Sequence, residues 1–310
     1  MPAHRPATDT PAAGAEAITV LAVGGTGESW EGDSRTRVSG MLEAVTEHLD
    51  ERFRSRWVGY PASYGPATAR RAMSYASSVE AGVARLGVVC DEIGGPLAFI
   101  GYSQGAVVVR EFLHRAAASG RLPTDRIVAV GFVADPHQPP GAVPGCAGWG
   151  VAGAGAPLPA DIPVRWVGTP ADMICNCEPD SLIRDIADLT PALELARPGR
   201  WLTSMVQTLR ANAFQNAART SVSPAQWRRD VARLRAASTA IRHYLPALIV
   251  WHTLVINNPS GGRHTSYRSE PYRALVTDPD TTGCQSIAHW LQVCATFRQV
   301  YLLDSCESLR

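Results

Sequence analysis

The chain contains no lysine: its 29 basic residues are all arginine, set against 28 acidic ones for a formal charge of +1. So even a balance excludes the strongly basic surface that nucleic acid or an anionic membrane would select, and the arginine-only usage with abundant Ala, Gly and Pro points to a GC-rich genome. No apolar run reaches the ~18–20 residues of a membrane span. The nearest, 241–256, is broken by Arg242, His243, Pro246 and His252, so a soluble protein with no stable membrane insertion is expected. Residues 1–16, rich in Pro, Ala and Thr, lack the ~7–15 apolar residues of a signal peptide and are expected to form a disordered leader. Seven cysteines (Cys90, Cys146, Cys175, Cys177, Cys284, Cys294, Cys306) are an odd number, which excludes a complete disulfide framework. Cys175-x-Cys177 has no second Cys pair or His pair at zinc spacing, so neither a metal nor a cofactor is expected.

What is present is Gly101-Tyr102-Ser103-Gln104-Gly105. An apolar run, 96–100, precedes it and a stretch of helical periodicity, 106–118, follows it. A serine between strand and helix, with glycines two positions to either side, is the pattern of a nucleophile elbow, a turn so tight that a Cβ at either glycine would clash.

Strand-like runs at 17–24, 56–60, 96–103, 126–134 and 163–167 alternate with helical stretches at 37–53 and 69–93 and after Ser103. The alternation predicts a doubly wound parallel α/β sheet whose site lies at the carboxyl ends of its strands. One domain over 17–310 is expected. Within it, 137–162 is a Gly/Pro-rich loop, of the kind that covers a site or is mobile. Residues 178–256 read as a helical insertion, and 285–300 as a closing helix.

A serine hydroxyl needs a histidine to take its proton and an acid to hold that histidine's tautomer. Asp172, just past the 163–167 strand, is the preferred acid, and Asp135, at the end of the preceding strand, is the alternative. Of eight histidines, His264 is the best-placed base because the turn formers of 257–263 can swing an imidazole over the sheet edge. His252 reads as a packed residue within an apolar helix, and the others fall in the leader, on helices or before the loop. Backbone N–H groups of Gln104 and of Thr26, in the Gly24–Gly27 loop, are the candidate oxyanion hole. That loop lacks the spacing of a phosphate cradle.

With these residues placed, the chain resembles the lysin B esterases of mycobacteriophages, relatives of the cutinases. The matching pieces are Val23-Gly24-Gly25-Thr26-Gly27, Tyr60-Pro61-Ala62, Gly101-Tyr102-Ser103-Gln104-Gly105-Ala106, Asp172-Met173 and His264-x-x-Tyr267. The wide separation of Asp172 from His264 looks like the helical insertion of lysin B, whereas cutinases place the histidine soon after the acid. The resemblance implies an α/β-hydrolase (cutinase-like) fold, a Ser103, Asp172, His264 triad, and a partner in the host envelope, the ester joining mycolic acids to arabinogalactan. It also implies release from the host cytoplasm at lysis. The cutinase disulfide beside the acid cannot form, because position 168 is Gly. The alternatives are a cutinase-like or lipase-like carboxylesterase, and a non-catalytic scaffold that binds envelope lipid.

Overall fold

The computed structural model describes residues 16–211, 214–215, 223–251, 254–272 and 279–307. The leader therefore lies outside the described residues except for Glu16, and so does His252. Five strands, β1 (Ile18–Val23), β2 (Phe53–Trp57), β3 (Leu97–Tyr102), β4 (Ile127–Val133) and β5 (Val164–Val167), form one sheet in the order β2-β1-β3-β4-β5. Every pairing in it is parallel. This is the doubly wound parallel α/β sheet expected, and the strand order reverses direction between β1 and β3.

Period-two alternation sends successive side chains to opposite faces. Ile18, Val20 and Ala22 of β1, with Ala98 and Ile100 of β3, join one core, which includes Ile287 and Leu291 of the closing helix. Leu21 and Val23, with Leu97 and Phe99, join the other, under the helices on either side of β3. Each fully buried Val, Leu, Ile or Phe among them contributes about 1.5–3 kcal/mol.

The helices are α1 (Glu43–Thr46), α2 (Tyr75–Asp91), α3 (Gln104–Ser119), α4 (Leu182–Leu189), α5 (Pro198–Ala211), α6 (Pro224–Tyr244) and α7 (Gly283–Glu307). Three differ from the sequence expectation. The 37–53 helix shrinks to one short turn plus α1, because the Asp50 carboxylate takes the Arg52 N–H and turns the chain into β2 early. The 69–93 helix starts only at Tyr75, where Ser74 caps it by accepting from the Ser77 N–H. The closing helix extends through Gly283–Glu307.

The helical run does not last to residue 256. After α6 the chain forms an antiparallel ribbon, β6 (Ala247–Trp251) and β7 (Leu254–Asn257), so the apolar helix expected around His252 is replaced by strands. The Gly/Pro-rich stretch has no regular element, yet it is held in place. Val151 N–H donates to the Ile174 carbonyl, Cys177 N–H to the Trp149 carbonyl and Ala152 N–H to the Pro136 carbonyl. Gly150 fits because a Cβ there would collide with the Pro136 carbonyl oxygen.

Candidate active site

Ser103 sits between β3 and α3 with φ +52° and ψ −118°, a conformation few non-glycine residues adopt. Its neighbours hold it there. Ser103 N–H donates to the Val133 carbonyl at 3.0 Å. A Cβ on Gly101 would come within 2.6 Å of Ala106 Cα, and one on Gly105 would strike the Val23 carbonyl oxygen. Strain of this kind is retained where it presents a side chain for chemistry.

Asp172 lies past β5 and is fully buried. Its Oδ1 accepts the Ile174 N–H at 3.0 Å, and its Oδ2 accepts both the Tyr267 hydroxyl at 2.7 Å and His264 Nδ1–H at 2.9 Å. Burial works against ionising this carboxyl, but the charge and hydrogen bond of His264, with the Ile174 and Tyr267 donors, hold it below its ordinary 3.8. Burial first, then the Asp172 charge, pushes the Tyr267 hydroxyl well above its ordinary value, so it stays a donor.

His264 is the second residue of the short 3-10 turn Arg263–Arg268, entered through Gly262 in the left-handed region at φ +70°. With Nδ1–H committed to Asp172, Nε2 faces Ser103 Oγ at 3.0 Å. The ring is bracketed by Tyr102, stacked at 5.1 Å, and Tyr244, at 5.3 Å. The Tyr102 hydroxyl also donates to the His264 carbonyl at 2.9 Å. The turn is tied to the end of α6 by Asn258, whose amide donates to the Arg242 and Leu245 carbonyls at 2.5 and 2.9 Å.

On the other side of Ser103, the Gln104 side chain is buried and joins three segments. It accepts from Thr26 Oγ1 at 3.2 Å and from the Tyr60 hydroxyl at 3.4 Å, and it donates to the Ser63 carbonyl at 3.0 Å. Within the glycine loop, Gly25 N–H is spent on the Glu28 carboxylate and Gly27 N–H on the Ala62 carbonyl. Thr26, between them, is left with an N–H committed to neither. Beside this loop a cleft of about 570 Å³ runs past Trp30, Ala62 and Arg71 to Glu194.

The structure thus brings Ser103, His264 and Asp172 into one hydrogen-bonded series, with Gln104 and Thr26 adjacent. Asp135 is not part of it. Fully buried, it accepts from Arg110 Nη2 at 2.6 Å, Trp166 Nε1 at 3.0 Å and the His137 N–H at 2.9 Å. His48, His114 and His137 are engaged with the backbone carbonyls of Ala44, Pro157 and Gly153. Sequence reasoning did not find the Tyr102 and Tyr244 bracket or the Glu28 brace. The i, i+3 spacing of His264 and Tyr267 is the one local signal that both reach the same carboxylate.

The cysteines Cys90, Cys146, Cys175, Cys177, Cys284 and Cys294 are all free thiols. Burial raises the Cys175 thiol, whose Sγ lies 3.5 Å from the Tyr267 hydroxyl oxygen. Among the described residues no group of three or more His, Cys, Asp or Glu could hold a metal ion, and no helix is long and apolar enough to cross a membrane.

Compared with known proteins, the PE-PPE domain family matches residues 53–149, a segment that contains the Ser103 elbow but neither Asp172 nor His264. Among solved structures, an iodinated complex of acetyl xylan esterase is 16% identical with a TM-score of 0.38, the match covering 64% of this chain and 99% of that one. A cutinase-like protein from Cryptococcus sp. is 13% identical with a TM-score of 0.35, over 66% of this chain and 97% of that one. No curated protein sequence matches.

Proposed function

We propose that the protein is a serine esterase that hydrolyses the ester between mycolic acids and arabinogalactan in the actinobacterial cell envelope, a phage endolysin acting in host lysis. The observation that carries the esterase reading is the series Ser103 Oγ, His264 Nε2 and Nδ1, Asp172 Oδ2, at 3.0 and 2.9 Å, built on a strained elbow. The substrate follows from the resemblance to lysin B, and the insertion between Asp172 and His264 supports it.

In this reading His264 Nε2 takes the hydroxyl proton as Ser103 Oγ attacks the ester carbonyl carbon. Asp172, held ionised, stabilises the imidazolium and keeps Nδ1 protonated. The carbonyl oxygen becomes an oxyanion facing the N–H groups of Gln104 and Thr26. Collapse of the tetrahedral intermediate breaks the bond to the alcohol oxygen, which leaves with the proton from His264. Water, activated by the same imidazole, then hydrolyses the acyl-Ser103 ester and releases the acid.

The test is release of free mycolic acid from purified mycolyl-arabinogalactan-peptidoglycan by wild type and by Ser103→Ala. Release by wild type alone supports both substrate and nucleophile. Cleavage of p-nitrophenyl esters without mycolate release assigns a general carboxylesterase of cutinase-like or lipase-like type instead. Failure of Ser103 to react with a fluorophosphonate would leave the non-catalytic scaffold.

A further inference from the structure

The near-neutral total charge conceals an uneven distribution on α6. Trp227, Leu234 and Ile241 recur every seven residues and Leu245 follows four later, so on a helix of 3.6 residues per turn they form one lengthwise stripe. All four are exposed, Trp227 at 73% and Leu234 at 59%. A different face of the helix carries Ala237 into a buried cluster with Ile183 of α4.

An arginine stands directly after each of the first three stripe residues, Arg228, Arg235 and Arg242, about 100° further round the helix. These three are exposed, and among the described residues none makes an ion pair. Arg229 and Arg233, in contrast, are bridged to Asp180 and Asp185. The end of the stripe reaches the candidate site, since the ring of Tyr244 lies 5.3 Å from that of His264.

A row of exposed apolar side chains edged by unpaired arginines complements a surface that is apolar in depth and anionic at its rim. We propose that α6 is an interfacial helix that docks on an anionic lipid surface and thereby brings the Ser103 site to its ester. An acidic protein helix would match the same charges, but such helices are held in grooves. The α6 stripe is a ridge about 27 Å long, the shape that lies on a plane. The inference rests on the esterase reading for its purpose, while the docking itself needs no turnover.

The test uses full-length Ser103→Ala protein with vesicles of phosphatidylcholine alone or mixed with phosphatidylglycerol. Co-sedimentation with the anionic vesicles is expected, weakening as salt is raised. Leu234→Glu should weaken it about tenfold or more, and the combined Arg228→Gln, Arg235→Gln, Arg242→Gln variant roughly 150-fold, about fivefold for each charge removed. The same substitutions with Ser103 intact should leave turnover of p-nitrophenyl butyrate in vesicle-free solution unchanged. Equal binding to the uncharged vesicles, or binding unmoved by both variants, overturns the proposal. So does a concentration-dependent dimer abolished by Leu234→Glu, which assigns the stripe to a second copy. If vesicles are bound but no ester is cleaved, the esterase reading falls and the docking stands; cleavage without binding removes the docking alone.

Discussion

The Tyr267 hydroxyl and the His264 imidazole donate to the same oxygen, Oδ2 of Asp172, at 2.7 and 2.9 Å. Tyr267→Phe removes one of the three donors to this buried carboxylate and leaves His264 Nδ1–H and the Ile174 N–H. A hydrogen bond to a charged group contributes about 1.5–3 kcal/mol. The expected result is a kcat/KM lower by about tenfold with a lowered melting temperature, read from ester kinetics and circular dichroism. An unchanged kcat/KM would show that His264 is positioned without Tyr267.

Ser103→Ala and His264→Ala should each lower kcat by roughly 10⁴–10⁶-fold, and Asp172→Asn by about 10⁴-fold through the wrong imidazole tautomer. The losses should not add in the double variants, because the three groups act as a unit. Single-turnover kinetics on a p-nitrophenyl ester checks this, and additive losses would separate the roles.

Asp135 gives the opposite signature. The Arg110–Asp135 pair has side chains 6% and 0% exposed, so Asp135→Ala strands a buried guanidinium at a cost of about 3–5 kcal/mol. Denaturant unfolding should show that loss, while kcat/KM of the protein that remains folded stays within a few-fold of wild type. A defect in kcat larger than that of Asp172→Asn would reverse the assignment of the acid.

Gly105→Ala should fail to fold stably, since its Cβ would meet main-chain atoms of Val23 and Gly24, which cannot rotate away. The loss should exceed the ~1–3 kcal/mol of ordinary overpacking. Soluble yield and melting temperature measure it, and a variant as stable as wild type would mean that the elbow and β1 are further apart than described.

The carboxyls of Asp33 and Asp172 both titrate below their ordinary 3.8, burial being outweighed at Asp33 by Arg35, Ser29 and Trp57 and at Asp172 by the His264 series. The stability each contributes is therefore complete above that value and is lost as pH falls beneath it toward the folded-state values. Unfolding free energy followed downward in pH should fall steeply below 3.8 in wild type. Asp33→Asn should show a shallower slope there, and an identical slope would exclude Asp33 from the linkage.

The strands and the elbow were legible because their signals are local: an apolar run, two glycines and a helical periodicity confined to neighbouring residues. Asp172 and His264 could be placed from strand ends and turn formers, since a doubly wound sheet gathers those ends at one edge. The boundary at Ser74 was missed because a cap is a single hydrogen bond. The β6 and β7 ribbon was missed because a short apolar run reads alike as buried helix or strand. The Arg110–Asp135 pair and the tyrosines around His264 join residues distant in sequence, and nothing in the spacing announces such contacts.

The backbone clamps from Trp149 and Val151 to Cys177 and Ile174 give the Gly/Pro-rich stretch a particular kind of constraint. Its exposed side chains contribute little, so they are free to drift, but its length sets where the strand end before it meets the segment that carries Asp172. A substitution at one of its exposed positions is absorbed at the surface, whereas Gly150 admits no Cβ. A single-residue deletion would shift the whole ladder and carry the acid out of reach of its imidazole.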